Sequence, residues 1–299
     1  MGLLDKQNAP AQSAIASGRR RFFVSYGDGT YVPALRRIAG EAIATGEFDV
    51  VLSYGRDAVS EFVRNSRAFS EPRGAGLWSW KPDIILRAMD EMSDGDVLVY
   101  CDAGCSLRRC REWKRIWREM GGCELLAQRI YQKMERWSRM ELAHEFDDIS
   151  FRGLHQFMAT VIVAVKSEFT LRFFSEWRRY MVERPELFVD VTTDERKKQH
   201  PRFIESRHDQ SVFSALVYRC LSRPETRNCI RARWEHVENL DALRAQGIMA
   251  TRWPNETPYC PSLKDKFEAY VRRFLKDYVW KPLIANPVQC AAERSNGIL

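Results

Sequence analysis

Short apolar runs alternate with amphipathic helical stretches three times between Arg21 and Cys101, and this alternation restricts the fold more than any other feature of the chain. Phe22, Phe23 and Val24 form a strand that Gly27, Asp28 and Gly29 end, and Pro33 then stands in the first turn of a helix expected over 33–44. A second run, Val50, Val51 and Leu52, belongs to a strand over 49–54, and Val59, Phe62 and Val63 share one face of a helix over 57–65. After a Gly- and Trp-rich loop over 72–80, Pro82 opens a helix to Met92, and 96–101 is continuously apolar, as a strand buried on both faces must be. Parallel strands need a crossover, and a helix is the usual one. The pattern therefore predicts an α/β fold with a mostly parallel central sheet flanked by helices.

Beyond this unit, 108–120 and 124–143 read as helices rich in Trp and Arg, and 158–165 as a further central strand. A helix over 170–183, a polar loop over 185–201 and a helix over 209–220 follow. In 262–279, Phe267, Tyr270, Val271, Phe274 and Leu275 share the apolar face of an amphipathic helix. No repeat or linker interrupts the chain, so 19–233 is expected to form one domain, with 1–18 a flexible tail and 234–299 a C-terminal extension packed on it.

Composition removes several classes. With 45% hydrophobic residues the chain can bury a core, which excludes disorder as its main state. Its longest apolar stretches, such as 159–165, are far short of the roughly 18–20 residues that cross a bilayer. Residues 1–17 carry no basic leader with an apolar run, so a cytoplasmic location with reduced thiols is expected for the 8 cysteines. Cys101, Cys105, Cys110 and Cys123 lack the paired Cys-x-x-Cys spacing of structural zinc. The net charge of +7 comes from arginines scattered among acids rather than in a stripe, so nucleic acid is not the expected partner. A basic, Trp-rich nucleic-acid-binding protein is the alternative, and steep salt dependence would identify it.

Open parallel sheets bind ligands at the carboxyl ends of their strands, and three segments stand where such a site would form. Asp102 ends the 96–101 strand and is followed by Ala103 and Gly104, small enough to let a ligand approach the backbone. An Asx turn would also account for it. In 74–82, Trp78 and Trp80 offer a wall to a base or sugar, and Lys81 beside a helix N-terminus attracts phosphate. Asp209 can cap the 209–220 helix, but a cap does not account for the neighbouring Arg207 and His208.

In order, Trp80-Lys81-Pro82, Tyr100-Cys101-Asp102-Ala103-Gly104 and His208-Asp209-Gln210-Ser211 resemble the nucleotide-diphospho-sugar transferases of the GT-A fold, in particular the sugar transferases of bacterial and viral polysaccharide assembly. The resemblance spans 21–218 and implies a GT-A-like, Rossmann-like sheet and a hexosyltransferase-type enzyme. Its donor would be a nucleotide-sugar, UDP-linked by family frequency, and its acceptor a hydroxyl of a glycan or lipid-linked glycan. Asp102 matches the first carboxylate of an Asp-x-Asp motif that contacts the ribose or a divalent metal, but Gly104 stands where the second would be. The leaving diphosphate would be neutralised by Mn²⁺ or Mg²⁺ held by Asp102 and His208, or by Lys81, Arg207 and His208 themselves. Asp209 would take the acceptor's proton or orient the donor sugar. Ser25, Tyr26 and Gly27, with Trp80, Lys81, Asp102, Ala103, Gly104 and Arg207, would form the donor side, and Gln156 the acceptor side. Lys264, Lys266, Arg272, Arg273 and Lys276 surround the apolar face of the last helix, which would pack on the core or touch an anionic inner membrane peripherally. A nucleotide-binding relative without turnover is the further alternative.

Overall fold

The three runs that open the sequence form parallel neighbours: β1 (Arg21–Tyr26) lies between β2 (Val50–Tyr54) and β3 (Val97–Cys101) in the computed structural model, which describes residues 7–8, 18–234, 246–258 and 271. Side chains alternate along β1, and this decides which helix covers which face. Phe22, Val24 and Tyr26 pack with Ile84, Ile85 and Met89 of α2 (Lys81–Asp90). Phe23 packs on the opposite side with Ile38 and Ala42 of α1 (Val32–Thr45). The expected 57–65 helix divides into two single turns, Arg56–Ala58 and Glu61–Arg64. Asp83 of α2 takes both the Ser60 amide (2.7 Å) and its hydroxyl (2.9 Å), which holds the chain extended between them.

The largest departure lies at 124–143, read from the sequence as helix. It is β4 (Leu125–Lys133) followed by the short helical turns Met134–Trp137 and Met140–Glu145. Leu125 and Ala127 enter one core cluster while Leu126 and Ile130 enter the other, a period-two burial that only a strand between two layers can give. β5 (His155–Phe157) and β6 (Val161–Val165) run antiparallel along one edge of β4, with β6 also antiparallel to β3. β7 (Ile230–Trp234) runs parallel along the other edge of β4. β1, β2, β3, β4 and β7 thus point one way and β5 and β6 the other; Gln7–Asn8 adds an antiparallel pair to β2. The sheet is mixed but mostly parallel in direction.

α3 (Glu112–Glu119) covers the face that α1 shares, and α4 (Glu168–Glu183) and α5 (Asp209–Ser222) cover the face of α2. Residues 246–258 return as a strap: Ile248–Met249 pairs antiparallel with Ser106–Leu107, just past the end of β3. The helix expected over 262–279 lies outside the described residues, as does most of 1–17. Among the described residues no helix is long and apolar enough to cross a membrane.

Candidate active site

At the carboxyl ends of β1, β2 and β3 the sheet opens into a cavity of about 870 Å³. Because β6 runs antiparallel to β3, its N-terminal approach, Ala159 and Thr160, reaches the same rim, and so do the start of α5 and the strap. One side chain from each of the three sequence motifs meets at the floor. Lys81, the first residue of α2, is 3% exposed and places Nζ 2.7 Å from Asp209 Oδ2 and 3.2 Å from Asp102 Oδ1. Its third contact is the Ala159 carbonyl at 3.1 Å, so three oxygens face the ammonium's three N–H groups. Asp102 Oδ1 also accepts the Tyr100 hydroxyl at 2.7 Å, and the Asp102 amide donates to Thr160 O at 3.0 Å, tying this turn to the start of β6.

The two carboxylates are not equivalent. Asp102 is 28% exposed to the cavity whereas Asp209 is 7% exposed. Burial raises the Asp209 carboxyl to about 6, with Asp102 adding to the rise and Lys81 opposing it. Burial pulls Lys81 down, but Asp102 and Asp209 outweigh it and leave the ammonium above its ordinary value, charged at any physiological pH. The floor therefore carries two acids clamped on one permanent cation. One acid faces the opening, and the other is poised as a base stronger than an exposed aspartate.

The wall beside this floor is strained. Gly74, Ala75, Gly76, Leu77 and Trp78 all have positive φ, from 50° to 105°, a left-handed turn closed by Leu77 N–H to Arg73 O and Trp78 N–H to Gly74 O. Such a turn costs each non-glycine residue roughly 1–2 kcal/mol. A Cβ on Gly74 would lie 2.5 Å from the Trp78 ring, so that ring closes over a position only glycine can hold. The turn directs Trp78 onto His208, stacked at 5.7 Å, while Trp80 bonds back to Gly74 O and stacks on Tyr26 at 3.9 Å. His208 also has positive φ (45°). Its Nδ1 donates to Phe188 O at 2.9 Å and its Nε2 lies 3.6 Å from Asp190; burial lowers its pKa and keeps the ring neutral.

Of the residues expected from the sequence, Tyr26, Gly27, Trp80, Lys81, Asp102, Ala103, Gly104, Arg207, His208 and Asp209 line the cavity. Ser25 and Gln156 are placed elsewhere. The Ser25 hydroxyl is buried and donates to Cys101 O, fastening β1 to β3. Gln156 is buried behind the site, where its Nε2 meets Trp137 O, Ser138 Oγ and Ser211 Oγ while its Oε1 receives Gln210 Nε2 at 2.6 Å. Gln210, not Gln156, reaches the cavity, so the buried amide positions the start of α5. The sequence reading missed the ion pair of Asp28 and Arg56 at the mouth (3.1 Å). It also missed Arg73, which joins the left-handed turn to Asp190 and Glu205, and Arg252 of the strap.

The residues do not fit a divalent cation in the manner of an Asp-x-Asp motif. Lys81 Nζ fills the position between the two carboxylates, Gly104 supplies no ligand, and both His208 nitrogens are directed at Phe188 and Asp190. Among the described residues no group of three His, Cys, Asp or Glu side chains is arranged to hold a metal.

No protein-family description matches the sequence, and no curated protein is similar to it. Among solved structures the chain is similar to the galactosyltransferase LgtC in complex with donor and acceptor sugar analogues (TM-score 0.32, 16% identity, 69% of this chain and 82% of that one). It is also similar to mouse xyloside xylosyltransferase 1 in its apo form (TM-score 0.38, 10% identity, 71% and 85%). A third likeness is to the bifunctional glycosyltransferase WbbM (TM-score 0.39, 12% identity), covering 78% of this chain and 41% of that one. At these values the chemistry has to be read from the cleft's own side chains.

Proposed function

We propose that the chain is a glycosyltransferase that moves a sugar from a nucleoside-diphosphate donor, UDP-linked by default, to a hydroxyl of a glycan or lipid-linked acceptor in polysaccharide synthesis. One observation carries this reading. Lys81, Asp102 and Asp209, from three motifs far apart in sequence, converge within 3.2 Å at the strand ends of an α/β sheet, under a cavity large enough for a nucleotide-sugar.

The transfer is a substitution at the anomeric carbon. The acceptor oxygen bonds to that carbon, the bond to the phosphate oxygen breaks with its electron pair leaving on the nucleoside diphosphate, and the acceptor's proton passes to Asp209. A carboxylate of pKa about 6 is ionised at neutral pH and still basic enough to share that proton in the transition state. When it does, Lys81 keeps Asp102 as a partner, so the ammonium is never left uncompensated. Asp102, open to the cavity, meets donor hydroxyls, and the stacked Tyr26 and Trp80 give the nucleoside side a flat apolar wall.

A thermal-shift panel of UDP, GDP, CMP and their sugar conjugates tests this reading. A ligand at about 100 times its Kd adds roughly 2.7 kcal/mol to the folded state. One nucleotide should raise the Tm, and its sugar conjugate should release free nucleotide in the presence of acceptor glycan. A shift without turnover would leave a nucleotide-binding protein. No nucleotide shift, with salt-sensitive stabilisation by single-stranded nucleic acid, would replace the transferase reading.

A further inference from the structure

The cavity's chemistry is incomplete without a group that meets the diphosphate, because Lys81 is already engaged by three oxygens and Gly104 provides no carboxylate for a metal. What occupies the space beside Gly104 is the strap. A Cβ at 104 would lie 3.1 Å from Arg252 Cα and 3.3 Å from its carbonyl carbon, so the backbone of Arg252 fills the volume an aspartate side chain would take. The Gly104 carbonyl holds the strap on both sides of this residue, accepting Thr251 Oγ1 at 2.8 Å and the Trp253 amide at 2.9 Å. Arg252 is thereby arched over the Asp102 turn, exposed and facing the cavity.

The arch has φ = 55°, a conformation in which glycine is at ease and an arginine is strained by roughly 1 kcal/mol. Strained backbone of this kind persists where surrounding bonds over-determine it, and it gathers at working sites. Here the over-determining bonds belong to Arg37, whose guanidinium joins Ala103 O and Cys105 O of the Asp102 turn to Trp253 O and Asn255 O of the strap. The strap and the turn are thus one rigid piece, and Arg252, exposed, is the cationic residue that this piece contributes to the cavity lining.

We propose that Arg252 is the residue that binds the donor's diphosphate and neutralises it as it leaves, so that this chain performs the transfer without a divalent cation at Asp102. This rests on the transferase reading above. The bond from the anomeric carbon to the phosphate oxygen breaks heterolytically and delivers an extra negative charge to the diphosphate. A guanidinium offers that charge paired, charge-assisted hydrogen bonds in a fixed geometry. It would supply the positive charge that a divalent cation would otherwise bring to the leaving diphosphate.

The test is calorimetric titration of the full chain with UDP and GDP, and with uridine and guanosine, each in EDTA and again in Mn²⁺. Arg252→Gly is the informative variant because it removes the side chain while relieving the positive φ, so the fold is not put at risk. The wild type should bind one diphosphate in EDTA, with Mn²⁺ changing its Kd by less than about threefold. Arg252→Gly should weaken that diphosphate by about tenfold or more and leave the nucleoside unchanged, with Arg252→Lys in between. An unchanged diphosphate Kd in Arg252→Gly, or a wild-type Kd tightened more than about tenfold by Mn²⁺, overturns the assignment and leaves the transferase reading standing. Absence of binding by both diphosphates to the wild type overturns the two together.

Discussion

Arg37 and Lys81 are both buried cations beside the same cleft, and they are held in opposite ways. Arg37 has one acid, Glu41 at 2.9 Å; its other partners are the Ser106 hydroxyl and the carbonyls of Ala103, Cys105, Trp253 and Asn255. Neutral dipoles on two chain segments, 103–106 and 253–255, converge on it, so what it secures is the position of those segments relative to each other and to α1. Lys81 has two acids and a single carbonyl. Its charge serves the carboxylates, and their protonation decides what the cleft can do. A buried guanidinium fans out to many acceptors in a plane and suits the first task, whereas a point-charge ammonium suits the second.

Removing the cation should expose the difference most strongly at Lys81. Lys81→Met leaves Asp209 buried beside Asp102 without compensation, which should cost about 3–5 kcal/mol at pH 8 and abolish turnover. Its Asp209 carboxyl, already raised to about 6, should rise further. A folded-state pKa above the unfolded one gives stability that is present at low pH and lost as pH rises through the folded value. The deficit should therefore shrink as pH falls from 8 to 5. Urea unfolding at both pH values measures this, and a deficit that does not change with pH would remove Asp209 from the ion cluster.

Asp209→Asn keeps the shape and removes the base, so transfer should fall by about 10²–10⁴. In the wild type the rate should decline as pH drops through about 6, because the protonated carboxyl cannot accept a proton. In the variant that acid limb should vanish. A pH–rate profile of nucleotide release decides this, and a limb that survives in the Asn variant would assign the base to another group.

Arg37→Met should cost less, about 2–3 kcal/mol from a broken buried network. The loss should be the same at pH 8 and pH 6, since the orphaned groups are mostly carbonyls. Parallel pH behaviour in Arg37→Met and Lys81→Met, read by the same urea titrations, would end the distinction between pin and counter-ion.

The two cations also differ in how far the sequence disclosed them. Lys81 stood between Trp80 and Pro82 at a helix start, where a lysine already reads as a ligand group, and Asp102 closed an unmistakable apolar strand. Strands β1 to β3 were legible for the same reason: continuous apolar runs bounded by Gly and Pro. Arg37 looked like any solvated arginine of α1, because its acceptors come from turns that only the tertiary fold brings near. β4 was hidden by composition. Leu, Gln, Arg and Lys are good helix formers, and burial on both faces overrode that preference. Gln156 was expected on the acceptor side, but its place behind Gln210 depends on the hydrogen bonds of α5, which no local pattern records. Arg252 carried no motif at all; its meaning comes from Gly104, with which it shares nothing in sequence.

The smallest expected effect probes the joint between the two cations. Gly104 lies in the turn that begins with Asp102, a partner of Lys81, while the Ala103 and Cys105 carbonyls on either side of it bond Arg37. Gly104→Ala would bring a methyl to 3.1 Å from Arg252 Cα, a few tenths of an ångström too close, so either the strap or the turn must yield. Arg37 bonds the turn and the strap alike, but the turn is tied besides to Thr160 O through the Asp102 amide and to Tyr100 through the Asp102 carboxylate, so the strap should be the part that moves. The expected cost is about 1 kcal/mol of stability, the size of a mild overpacking. A few-fold loss of diphosphate affinity should accompany it, with nucleoside affinity and the acid limb of the rate unchanged. In the Arg37→Met background the turn and the strap are no longer pinned to each other by Arg37 and can move apart to admit the methyl. The two stability losses should then sum to less than their separate values, because residues sharing one rigid piece do not act additively. Full additivity, measured by the same urea titrations, would mean that the pin and the strap are independent, and that Lys81 alone organises the cleft.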